Sequence, residues 1–161
     1  MRPLIAVLFV CIFCFPLAAN ASEWEWLPYK DAVAVKASEH APAIGDGKTP
    51  RLVVSCNNLI RLAYLEWPSD LGIKLKELPN HAYVTLILKA DETLSEIWFV
   101  SRPEKTVTTV ISHDRAFPSR LTEHSSVALR AKEKQGLFDL TATFPLTGLA
   151  DIMEAHNLPC R

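Results

Sequence analysis

Polar and apolar residues alternate along most of the chain with a period near two, the signature of strands that bury one face. Arg51 to Cys56 and Leu59 to Trp67 are rich in branched and aromatic residues. Asn57-Asn58 between them tolerates the positive φ of a tight turn, which predicts a hairpin. In the second of these strands Ile60, Leu62 and Tyr64 share one face, and Arg61, Ala63 and Leu65 the other. His81 to Lys89 and Leu94 to Ser101 predict a second hairpin about Ala90 to Thr93, with Val84, Leu86 and Leu88 alternating and Trp98 central in the returning strand. Lys105 to Ile111 adds a short strand. Val127 to Lys132 and Leu137 to Phe144 predict a third pair about Lys134-Gln135-Gly136, where Gly136 supplies a left-handed residue.

Upstream, Trp24 and Trp26 stand on one side of an extended segment that continues into Ala32 to Ala37, predicting a single entry strand. Ser38 to Pro50 collects Pro42, Gly45, Gly47 and Pro50 and reads as a surface loop. Lys74 and Lys76, alternating with Leu75 and Leu78, read as a charge-guarded edge. Asp114 to Glu123 predicts one or two helical turns, limited by Pro118. After Pro145 the pattern changes to that of a helix, with Thr147 as its N-cap, Asp151 near the positive dipole end, Leu149, Ile152 and Met153 as the apolar stripe, and Asn157 and Pro159 as the stop. Seven or eight strands and a terminal helix predict a mainly β fold: an antiparallel β-sandwich or partly open barrel with a C-terminal helix.

The first residues change the picture of where the chain works. Arg2 precedes Leu4 to Phe15, a run without charge; Pro16 breaks it, and Ala19-Asn20-Ala21 offers the small residues a signal peptidase requires. Residues 1–21 read as a signal peptide and 22–161 as a single exported β-rich domain of 140 residues. The apolar run of about 12 residues reaches only roughly 18 Å as a helix against a ~30 Å hydrocarbon core, so no stable membrane anchor is expected after cleavage. The expected location is the periplasm or the exterior. Removal of the leader leaves Cys56 and Cys160, which an oxidising compartment favours joining in one disulfide.

Composition narrows the function classes. Of 17 Lys and Arg, Arg2 leaves with the leader, so 16 face 18 Asp and Glu, for a mature charge of -2 and no general affinity for nucleic acid. His40, His81, His113, His124 and His156 show none of the spacings that preorganise a metal site, and no metal or other cofactor is called for. No nucleophile elbow or phosphate-cradling glycine loop occurs, so no catalytic residue is assigned. Four tryptophans, Trp24, Trp26, Trp67 and Trp98, are candidates for core packing. Trp24 and Trp26, near a terminus, are also candidates for a binding platform.

The order of these landmarks resembles a family of secreted bacterial proteins associated with type VI secretion, of the periplasmic accessory type. Pro50-Arg51-Leu52-Val53-Val54-Ser55-Cys56 is similar to its P-x-L-x-V-x-C strand. Ala90-Asp91 with Trp98 and Ser101 resembles its acidic turn and W-x-x-S strand, and Phe144 to Gly148 followed by a helix and Cys160 resembles its F-x-x-x-G-L ending. Arg161 stands where an aromatic residue often follows the last cysteine, and Leu88-Lys89 replaces an aromatic-Arg pair. The resemblance implies a disulfide-pinned β domain and carries no catalytic residues. The sequence therefore predicts an exported, non-enzymatic binding or accessory domain with a protein partner in the cell envelope. The competing expectations are a cell-wall hydrolase or effector using His113, Asp114 and Glu123, and an inhibitor of such a hydrolase.

Overall fold

The computed structural model describes residues 23–41, 48–56, 61–68, 79–89, 92–104, 107–112 and 114–160. The expected signal peptide, the expected turn at Asn57-Asn58, the expected edge carrying Lys74 and Lys76, and His113 lie outside them.

Strand β1 (Glu25–Leu27) and strand β2 (Ala32–Lys36) are separate and antiparallel, with Trp26 opposite Val33, instead of one entry strand. Pro28 has no N–H to continue a ladder; it opens a 3₁₀ turn (Pro28–Lys30), and Asp31, at φ 45°, reverses the chain. Strand β3 (Glu39–Ala41) occupies part of the expected surface loop. Strands β4 (Arg51–Cys56) and β5 (Arg61–Trp67) form the predicted hairpin ladder. They are followed by β6 (His81–Lys89), β7 (Glu92–Glu104) and β8 (Val107–Ile111), a meander of antiparallel neighbours.

Helix α1 (Phe117–Leu121) carries Pro118 within its first turn, where a missing N–H costs nothing, so the proline starts the helix instead of dividing it. Strands β9 (Ser126–Lys132) and β10 (Asp139–Pro145) pair across a turn in which Gly136 sits at φ 78°. Helix α2 (Leu149–Ala155) begins one residue later than Thr147 implied. Its N-cap is Gly148 at φ 83°, a left-handed conformation that lets the chain leave β10 sharply, and no side chain caps it. Asn157, at φ 53°, ends it.

The ten strands among the described residues form one antiparallel sheet in the order β1-β2-β4-β5-β8-β7-β6-β9-β10-β3. That order dictates its shape. Eight strand spacings of ~4.8 Å would set β2 and β3 about 38 Å apart in a flat sheet, whereas the three steps from Lys36 to Glu39 reach only about 10 Å. The sheet must coil until its two ends approach. The Ser38 N–H donates to the Thr143 carbonyl at 2.8 Å, and β3 lies against β10, as this requires. The result is a coiled, partly open sheet with one principal interior.

Alternation selects what enters that interior. Val33, Val54, Leu65, Leu86, Trp98, Leu129 and Phe144 all point inward and are buried, and Phe117, Leu121, Leu149 and Met153 of the two helices pack against them. Cys56, at the end of β4, and Cys160, beyond α2, are both buried and joined in a disulfide, with Cα atoms 5.2 Å apart. The Ser119 hydroxyl of α1 donates to the Cys160 carbonyl, so the tail is held by the sheet and by α1 together. A smaller apolar cluster of Leu27, Ala32, Ala34 and Val53, with Tyr64 against it, lies on the opposite face of the first strands.

Candidate binding face

Among the described residues, Glu66, Glu96 and Asp114 are carboxylates engaged by neighbouring cations. Glu66 of β5, 8% exposed, accepts from Lys30 Nζ at 2.7 Å and from the Arg51 guanidinium at 2.5 and 3.1 Å. Burial opposes its ionisation, but the hydrogen bonds from Lys30 and Arg51 outweigh burial and hold the carboxyl below its ordinary value near 4.5. A depressed folded pKa stabilises the fold above the unfolded value and loses that contribution as pH falls through the folded one. Thermal unfolding followed from pH 6 to pH 3 is therefore expected to fall more steeply for the wild-type chain than for Glu66→Gln. At neutral pH the same substitution is expected to cost about 2 kcal/mol, as for loss of hydrogen bonds to a charged group.

On the inward side Arg120 of α1 bridges Glu96 of β7, at 3.0 Å, and Asp114. The Glu96 carboxylate also accepts the Trp98 indole N–H at 2.8 Å. Asp114, one of the residues on which a hydrolase would depend, is bound to Arg120 and to the Ala116 N–H, while Glu123 is exposed just past α1. Among the described residues no group of three His, Cys, Asp or Glu side chains forms a metal-binding cluster.

Trp24 and Trp26 do share one side of the chain, but that side faces inward. Trp24 is 5% exposed in the core, and Trp26 is half-buried, stacked parallel on His156 with ring centroids 4.2 Å apart. The two do not form an exposed platform. Trp67 and Trp98 are fully buried, as core packing predicts.

Apolar surface is instead exposed on the outward face of β6 and β7. Tyr83 (52% exposed) stands directly opposite Ile97 (54%), and Phe99 (45%) is two positions along from Ile97 and opposite His81, their rings 5.0 Å apart. Ile87 (45%) extends the row on β6; Ile111 of β8 pairs with Phe99 and then with Tyr64 of β5. A shallow hollow of about 450 Å³ lies between Tyr83, Ile97 and the β9–β10 turn residues Glu133 and Lys134. Glu133 fixes that turn, accepting the Gln135 N–H at 2.6 Å and the Leu137 N–H at 3.3 Å.

Single exposed apolar residues are ordinary on a protein surface, whereas cross-strand neighbours forming a continuous patch mark a contact surface. The sequence contained a signal for it. Tyr83-Val84-Thr85-Leu86-Ile87-Leu88 carries apolar residues at both parities, as a strand covered on both faces does.

No family model matches the chain, and no curated protein matches it. Among solved structures, the crystal structure of invasion associated protein B from Bartonella henselae matches with a TM-score of 0.53 at 12% sequence identity, over 83% of this chain and 89% of that one. At that identity the likeness is one of fold alone.

Proposed function

We propose that the chain is an exported accessory domain of the bacterial envelope that acts by docking to protein, in the service of type VI secretion or another envelope machine. The observation that carries the reading is the outward patch of Tyr83, Ile97 and Phe99, with Ile87 farther along β6 beyond Thr85, which the fold leaves in solvent. Burial of such a patch would release water from apolar surface at about 25 cal/mol per Å². Asp114 is engaged by Arg120, which gives that carboxylate a part in seating α1. The leader-like first 21 residues and the buried disulfide support export, and the P-x-L-x-V-x-C, W-x-x-S and F-x-x-x-G-L landmarks support the link to type VI secretion.

The test is complementation of a strain lacking the gene. The wild-type chain is expected to restore export of the secretion tube protein. The variant carrying Ile97→Lys and Phe99→Lys, with unchanged circular dichroism, is expected to fail. Undiminished export in the deletion strain contradicts the secretion role, and full rescue by the charged variant contradicts the docking face.

A further inference from the structure

We infer that the cleft between α1 and the last turn of α2 is a binding site for a primary ammonium group on an aliphatic stem. The cleft has a volume of about 250 Å³ and shares no residue with the β6–β7 patch. Sites for drug-sized ligands run from roughly 300 to 1,000 Å³, so this one suits a slender chain with a single polar end. Its floor is apolar: Met153 is 6% exposed, Cys160 is buried in the disulfide, and Leu158 is half-buried at the same cleft. A methionine there gives methylene groups an adaptable surface.

The polar wall is one-sided. The Ser119 hydroxyl donates to the Cys160 carbonyl and the Thr122 hydroxyl donates to the Ser119 carbonyl at 2.7 Å, so both present only lone pairs to a ligand. Glu154 adds an exposed carboxylate with no ion-pair partner among the described residues. No Lys, Arg or His stands among the described residues of the lining. Glu154 is the next-to-last residue of α2, where helix carbonyls carry partial negative charge, and the last turn holds no basic residue to offset it. Helix stability disfavours a carboxylate at that end, whereas a cationic ligand gains from it. An anionic ligand would meet Glu154 with no cation beside it, and a hard metal ion takes about six or more oxygens and would leave the apolar floor unused. An ammonium donates three hydrogen bonds to such oxygens while its stem covers Met153.

Amide NMR spectra of the oxidised protein test this, recorded during titration with n-pentylamine and with n-pentanol, which has the same stem and no charge. The amine is expected to give saturable shifts at Thr122, Glu154, Asn157 and Leu158, and the alcohol to bind about fivefold more weakly, the upper end for an exposed ion pair. Glu154→Gln, with unchanged circular dichroism, is expected to bring the amine down to the affinity of the alcohol. N-acetyl-lysine methylamide and cadaverine then present the same ammonium from a peptide side chain and from a free diamine, and the tighter of the two identifies the source. Equal binding of pentylamine and pentanol, undiminished amine binding by Glu154→Gln, or no shift at these residues with any amine would overturn the inference, and each leaves the docking reading of β6 and β7 untouched.

Discussion

Cys160→Ser is expected to lower the unfolding free energy by about 4 to 5 kcal/mol and the unfolding temperature by on the order of 15 °C, measured by denaturant and thermal unfolding of the oxidised wild-type chain beside the variant. The size follows from the span: the bridge joins residues 104 apart, so it removes much of the freedom of the unfolded chain. The native state also gives it a specific role. Cys56 ends β4 on the inward face, and Cys160 follows the last turn of the chain, with its carbonyl held by Ser119 of α1. Without the bridge, α2 retains the contacts of Leu149 and Met153 with the core but loses its tether. Proteolysis is accordingly expected first at the C-terminal segment of the variant, before the sheet.

Trp98→Ala is expected to cost about 4 kcal/mol, within the range for removing a buried tryptophan. Trp98 is 1% exposed and packs edge-on to Phe117 of α1, with ring centroids 5.3 Å apart. Its indole N–H bonds Glu96, whose other oxygen holds Arg120 of the same helix. Truncation therefore opens a cavity and loosens the seat of α1 at once. Trp98→Phe separates the two effects. Keeping most of the ring while leaving the Glu96 carboxylate a donor short is expected to cost about 1 to 2 kcal/mol, both variants being measured by urea unfolding beside the wild-type chain.

The strands were legible because each is a short-range pattern. Asp139 to Phe144 alternates clearly enough that the sheet parity of Phe144 follows from residue type alone, whereas Arg51 to Cys56 and Tyr83 to Leu88 are apolar at both parities and read as strands without declaring their inward face. What failed was set by distant or backbone terms. Glu39–Ala41 has no strand-like side chains; it is a strand because the coiling of the sheet delivers it to β10. Gly148 displaced Thr147 as the start of α2 because the exit from β10 needs a positive φ, a demand that capping preference does not contain.

The candidate site divided in the same way. That Trp24 and Trp26 share a side could be read from their spacing, but whether that side faces solvent depends on the coiling of the sheet and on His156 at the end of α2, which stacks on Trp26. The row of Tyr83, Ile97 and Phe99 is assembled from two strands whose register no single segment states. Asp114 and Glu123 were candidates for catalysis by residue type; Arg120, which Asp114 pairs with, becomes its neighbour only when α1 forms.

The most direct test of the central claim, that the outward face of β6 and β7 is a contact surface, is hydroxyl-radical footprinting of Tyr83 and Phe99. Modification of these two side chains in dilute purified protein is compared with modification in intact producing cells, with exposed Tyr29 as the internal reference. The account predicts strong labelling of both rings in the dilute protein and marked protection in cells, with Tyr29 unchanged. Equal labelling of Tyr83 and Phe99 in the two states would contradict it.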